Sequence, residues 1–227
     1  MPKPTFFNLP AAKREAIIAL AVAEFAEHPY GVASLSRIVE RAGIAKGSIY
    51  QYFAHKQELY LYTLEQAVAR QLALLSAEAP PDPELGFFDL LRWQMQASMR
   101  VGLTEPLLTR LMYRAVSDDL PFRAEVERRL SRAGESHLRG LLERGVERGE
   151  IDSGLDLELA AFVLEQLVAN LQGLIARRLG LSLEEVAGDP AAVAGAEVDA
   201  LYDQVVQIIQ HGLTPRARPA SHEGATR

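Results

Sequence analysis

At 227 residues the chain is long enough to bury one or two compact cores. It has no cysteine, which excludes disulfides, thiol nucleophiles and thiolate metal sites, and no apolar run approaches the ~18 uninterrupted residues of a membrane span. Its net charge of −6 is unevenly spread: residues 1–56 carry Lys3, Lys13, Arg14, Arg37, Arg41, Lys46 and Lys56 against only Glu15, Glu24, Glu27 and Glu40, a basic head on an acidic body. The opening stretch MPKPTFFNLPAAKREA has no signal-peptide pattern, so a soluble cytoplasmic protein is expected. Metalloprotease, nucleophile-elbow and P-loop patterns are absent, and His28, His55, His137, His211 and His222 lack metal-ligand spacing. No catalytic residue, metal or cofactor is therefore expected.

Residues 1–9, with two prolines, read as a flexible arm. Pro10 suits the first turn of a helix. That helix runs to about His28 and stops at Pro29, with Ile17, Ile18, Leu20, Ala21 and Phe25 on a broad apolar face. Leu35, Ile38, Val39 and Ala42 then repeat at helical spacing, and Ser34 or Ser36 can cap the start. Gly43 can adopt the left-handed conformation of a helix-to-helix corner. Ala45 to Tyr52 forms a second short helix, with Ala45, Gly47 and Ser48 leading and Tyr50, Gln51 and Tyr52 behind. Residues 34–53 thus read as a helix-turn-helix. Small residues let its second helix approach base edges, and hydroxyl, amide and lysine groups there can bond bases or phosphates. Ile38, Ile44, Ile49 and Phe53 are assigned to the core of this unit.

A long helix is expected from Lys56 to about Ala79, broken by Pro80-Pro81-Asp82-Pro83. Beyond it the periodicity gives helices over Phe87–Met99, Pro106–Val116, Phe122–Arg148 and Leu157–Leu179. A turn lies over Gly149–Gly154 and a loop over Gly188–Gly195. A last helix ends near Gly212, and residues 213–227 read as a disordered tail. No strand pattern stands out, so the fold class is all-α.

Lys13 to Leu59 resembles the N-terminal domain of the TetR (tetracycline repressor) family of bacterial transcription regulators. The match lies in Glu24-Phe25-Ala26 ending the first helix, Ala33-Ser34…Ile38, Ala42-Gly43-Ile44-Ala45-Lys46-Gly47-Ser48-Ile49-Tyr50, and Tyr52-Phe53…Lys56…Leu59. It covers about the first quarter of the chain. Two departures are visible. Pro29 stands where a nearby glycine is commoner, a job Gly31 can take, and Tyr52 stands where histidine is common. The resemblance implies a helix-turn-helix DNA-binding domain over 1–56 and a helical ligand-binding and dimerisation domain over 57–212. It implies a homodimer on a palindromic double-stranded operator, released by a small-molecule inducer, with no membrane role. Positions matching Lys46, Gly47 and Ser48 lie nearest the bases, Gln51 meets adenine or phosphate, and Tyr50, Tyr52 and Lys56 hold the phosphate backbone. Ser34, Ser36 and Arg37 can clamp the opposite strand, although Ser34 can equally be a helix cap. An activator, a ligand-independent DNA binder and a small-molecule binder with a vestigial head remain open alternatives.

In the body, Trp93, Met95, Met99, Tyr113, Phe122, His137, Gln166 and Asn170 are candidate ligand contacts. Gln166 and Asn170 lie four apart on an apolar helix, where a buried amide needs a partner, either a ligand or the second subunit. Arg92, Arg100, Arg110 and Arg114 can hold an anion or stand as solvated charges. The apolar body points to a hydrophobic or amphipathic inducer.

Overall fold

The computed structural model describes residues 1–82, 84–180 and 195–211, which are helical with no strand among them. Among the described residues ten helices run in order: α1 (Pro4–Phe7), α2 (Ala11–Glu27), α3 (Leu35–Arg41), α4 (Ser48–Tyr52), α5 (Lys56–Ala77), α6 (Phe87–Thr104), α7 (Pro106–Ser117), α8 (Arg123–Glu147), α9 (Leu157–Arg178) and α10 (Ala196–His211). Pro83, residues 188–194 of the expected loop, Gly212 and the expected tail over 213–227 lie outside the described residues.

The first nine residues are not a free arm. Pro4–Phe7 forms α1 with proline at its start, and Phe6 is completely buried, its ring centroid 4.9 Å from that of Phe53, 5.6 Å from Tyr62 and 6.0 Å from Tyr52. One aromatic side chain of that size outweighs the disorder that two prolines suggest. Arg14 secures the same segment by donating to the carbonyls of Phe7 (2.9 Å) and Leu9 (2.6 Å).

α2, α3 and α4 close over a core of Ile17, Phe25, Ile38, Ile49, Phe53 and Leu59. Gly43 turns the α3–α4 corner at φ +62°, the left-handed conformation that costs an L side chain about 1–2 kcal/mol. The chain after it enters α4 through a tight turn at Lys46-Gly47, with the Ser48 N–H on the Ala45 carbonyl at 2.8 Å. This core continues along α5 to Ala67 and takes in Leu111 and Ala115 of α7. Arg114 of α7 reaches back to the Ala26 carbonyl at the end of α2 (2.8 Å), and α7 packs on both α2 and α5.

A second core, built around Leu91, Met95, Leu142, Leu164 and Ile175, joins α6, α8, α9 and α10. α5, which packs on α2 in the head and on α6 and α8 in the body, belongs to both halves. At 1.5 Å per residue its 22 residues span about 33 Å from head to body. α9 is, by length and composition, apolar enough to cross a membrane. It packs on α8 and leaves Leu159, Phe162, Val163 and Leu174 exposed on its other side.

Candidate nucleic-acid interface and body cavity

α4 has two contrasting faces. Ile49, Tyr52 and Phe53 are buried in the head, whereas Lys46, Gly47, Tyr50 and Gln51 are exposed and Ser48 is half-buried. The side chains of Lys46, Tyr50 and Gln51 make no hydrogen bond or ion pair among the described residues, and Tyr50 is 54% exposed. An outer surface that carries an ammonium in the turn entering α4 and a phenol and an amide on the helix itself, all unpaired, is chemically equipped to bond base edges and phosphates.

The flanking groups of the expected DNA contact set are partly used inside the head. Glu24, 2% exposed on α2, accepts from the Ser34 N–H (2.6 Å) and from Arg37 Nη2 (2.5 Å) and Nε (3.0 Å). Burial works to raise its carboxyl, but the hydrogen bonds from Arg37 and Ser34 and the guanidinium charge outweigh it and hold the group below the usual range. Arg37 also donates to the Val32 carbonyl at 3.1 Å. Lys56 lies with its ammonium 4.5 Å above the Tyr30 ring and donates to the carbonyls of Tyr30 (2.6 Å) and Ala33 (3.0 Å). Ser34 flanks α3 without a side-chain cap bond, and Ser36 is exposed. Lys46, Gly47, Ser48, Tyr50 and Gln51 thus share one outward region, while Arg37, Tyr52 and Lys56 hold that region in place.

The body contains a cavity in two adjoining chambers, both partly open to solvent. The outer, about 410 Å³, lies among α5, α6 and α8 and is lined by Leu75, Trp93, Gln94, His137, Arg144 and Arg148 with Glu78 and Glu150. The inner, about 160 Å³, is lined by Leu72, Leu91, Met95, Leu138, Glu165 and Val168, with Leu75, Gln94 and His137 common to both. The Gln94 amide donates to His137 Nε2. Desolvation of the ring in the cavity, reinforced by the charge of Arg144, pushes the His137 imidazole below its ordinary range.

Residues 17–63 match the family model described as bacterial regulatory proteins, tetR family. A solved TetR family transcriptional regulator from Chloroflexus aurantiacus J-10-FL shares 34% identity, covering 93% of this chain and 98% of that one, at a TM-score of 0.66. The chain belongs to the TetR family. It is a helix-turn-helix transcriptional regulator. The HTH-type transcriptional repressor AcnR of Corynebacterium glutamicum is 27% identical over 175 residues, 74% of this chain and 82% of that protein. The Bacillus subtilis regulator FadR, solved with stearoyl-CoA, shares the fold at 20% identity and a TM-score of 0.60, covering 88% of this chain and 99% of that one. TetR-family regulators bind DNA operators as dimers and take small-molecule ligands.

In this TetR-family chain the body candidates separate. Trp93 and His137 line the outer chamber and Met95 the inner, while Met99 is buried in the second core. The remaining four are elsewhere. Tyr113 is 52% exposed on α7. Phe122 packs edge-on against Tyr30 and Tyr60 at the head–body junction, its ring centroid 4.8 Å from that of Tyr30. Gln166 and Asn170 lie on the exposed side of α9, where Asn170 donates to the Gln166 carbonyl (2.7 Å), so neither is a buried amide in need of a ligand. Three of the candidate anion-holding arginines are paired: Arg92 with Asp203 (2.5 Å), Arg100 with Glu78 (2.7 Å) and Arg114 with Asp118 (3.5 Å). The cavity-lining cations, Arg144 of α8 and Arg148 just past its end, carry no distinct signal in the sequence. They continue a stripe with His137 and Leu141, but in a helix this charged the stripe reads as solvated surface.

Proposed function

We propose that this regulator is a cytoplasmic, non-enzymatic homodimeric repressor that binds a palindromic operator through α4 and is released by a small molecule held in the body cavity. The observation that carries the reading is the outward surface of α4 and the turn that enters it, with Lys46, Tyr50 and Gln51 unpaired beside Gly47 and Ser48 while the opposite face of the helix is locked into the core. Lys46, Gly47 and Ser48 read bases. Tyr50 and Gln51 meet base or phosphate, and Ser34, Ser36, Arg37, Tyr52 and Lys56 contribute or support backbone contacts. The domains divide as 1–56 for DNA and 57–212 for ligand and dimer.

The exposed apolar residues Leu159, Phe162, Val163 and Leu174 of α9 support a dimer contact there, because a patch of that kind is costly in a lone soluble chain. Two-fold pairing would set two α4 helices over successive major grooves. The cavity wall includes Leu72, Leu75 and Ser76 of α5, the same helix whose first turns lie in the head core. A ligand that shifts α5 therefore shifts the head. It weakens DNA binding by binding the DNA-incompetent arrangement more tightly. FadR, with the same fold, holds stearoyl-CoA, which agrees with an amphipathic ligand.

The test is selection of binding sites from random duplex DNA with the full-length protein at two salt concentrations. One palindromic motif bound in a salt-sensitive manner is expected. Recovery of no motif, or of an asymmetric one bound by a single subunit, would refute the reading.

A further inference from the structure

The outer chamber carries a charge that no protein group pairs. Arg144 lines it, is exposed to solvent, and makes no hydrogen bond or ion pair among the described residues. Its charged neighbours are all engaged: Arg148 donates to the Leu85 carbonyl (2.9 Å), Glu78 pairs with Arg100 (2.7 Å), and Glu150 accepts from the Phe87 N–H. Gln94, 8% exposed, spends its amide N–H on His137 and leaves its Oε1 without a partner among the described residues. The inner chamber beyond this pair is walled mainly by Leu72, Leu91, Met95, Leu138 and Val168, with Ser98 and Glu165 as its further polar members.

We propose that the ligand is an amphiphilic monocarboxylate whose head pairs with Arg144 in the outer chamber and whose hydrocarbon part passes Gln94 into the inner chamber. This rests on the reading of the body cavity as the inducer site. A guanidinium matches a carboxylate in a two-pronged bond. Glu78 and Glu150 on the same walls repel a headgroup of several negative charges, so a single charge fits best. A hydroxyl or other donor next to the head would satisfy Gln94 Oε1.

Calorimetry on the full-length protein, with straight-chain carboxylates and the matching primary alcohols, tests this. Each added methylene should tighten binding about fourfold until the inner chamber is full. The alcohols should bind at least about tenfold more weakly than the acids. Arg144→Gln should reduce the acids to the alcohols' affinity and leave the alcohols unchanged. Leu91→Trp, or Val168→Phe should the first variant not fold, should block both. Equal binding of acids and alcohols, or a preference that survives Arg144→Gln, overturns the proposal while the cavity reading stands. Absence of binding by either series overturns both.

A different set of contacts gives the N-terminal segment a role in reading DNA. α4 has only five residues, too few to hold a helical shape alone, and its final carbonyls need donors from outside. Three of them find donors in the N-terminal segment. Tyr50 O accepts from Lys3 Nζ (2.7 Å), Gln51 O from the Thr5 hydroxyl, and Tyr52 O from the Lys3 backbone N–H (2.8 Å). Phe6 pins the segment against Tyr52 and Phe53. We infer that Lys3, Thr5 and Phe6 are positioning residues that set the pitch of α4 and so the aim of Lys46, Tyr50 and Gln51.

Thr5→Val changes no charge and isolates this role. It should weaken binding to the selected operator about fivefold, leave binding to random duplex and its salt dependence unchanged, and be rescued by Thr5→Ser. Phe6→Ala should do the same more strongly. An unchanged ratio of operator to random-duplex affinity in both variants, or an equal loss on both DNAs, overturns the inference.

Discussion

Replacing Glu24 with Gln tests how the helix-turn-helix is anchored. The native carboxylate ties the start of α3 to α2 through the Ser34 N–H and the Arg37 guanidinium at 2.5–3.1 Å. Gln keeps the shape and one acceptor, but it turns an NH2 group toward Arg37 and removes the charge. Breaking a fully buried ion pair costs about 3–5 kcal/mol, and a charge-assisted hydrogen bond is worth about 1.5–3 kcal/mol. Arg37 is 44% exposed, so water recovers part of the loss, and a cost of about 2 kcal/mol follows. Thermal unfolding of the variant should fall by about 4–8 °C at neutral pH. The pH dependence gives a sharper check. A carboxyl held low in the folded state contributes its full stability above its usual value of 4.5 and loses it as the pH falls through the lowered value. The gap between native protein and Glu24→Gln should therefore be full near neutrality and close in acid. A gap independent of pH, or a variant within about 0.5 kcal/mol of the native protein at pH 7, would refute the reasoning.

Gly43→Ala should destabilise the head by about 1–2 kcal/mol in denaturant titration, with Gly43→Asn milder, because the position sits at φ +62° and no atom lies within 4 Å of an added Cβ. Steric crowding rather than backbone shape governs Gly145, where a Cβ would lie 2.7 Å from Ile151 Cγ1 and 3.2 Å from the Phe87 ring; Gly145→Ala should cost about 1–3 kcal/mol. Gly140→Ala on the same helix meets only Arg144 Nη1 at 3.9 Å and should stabilise by about 0.5–1 kcal/mol; the opposite order of these two variants would contradict the packing described for α8. Phe162→Glu should turn the dimer into monomers in sedimentation, and a stable dimer would move the interface away from this face of α9.

The head was legible because its signals are local. The Leu35–Ala42 periodicity and Gly43 define the corner without reference to the rest of the chain, and the structure places both as expected. α1 was not legible, since its stability comes from burying Phe6 among residues about fifty positions away. The same limit applies to charge. Sequence shows Arg37 and Lys56 as cations near a DNA-like motif, but their carbonyl and carboxylate partners become visible only once α2, α3 and α5 are assembled. In the body, Gln166 and Asn170 looked buried because α9 is apolar nearly all round; its outward face is apolar too. Arg144 was hidden for the converse reason, since one unpaired arginine among many on α8 has no sequence signature.

The most direct test of the central claim is the affinity of Lys46→Ala and Tyr50→Ala dimers for the operator recovered by selection, followed across salt concentration. Both variants should remain dimeric and lose operator binding. Salt dependence separates the two kinds of contact: a base-reading Lys46 leaves the slope of log affinity against log salt near native on the weaker binding that remains, whereas a phosphate contact in each subunit would make it shallower by about 2. Native affinity and native salt dependence in both variants would contradict the assignment of α4 as the helix that reads DNA.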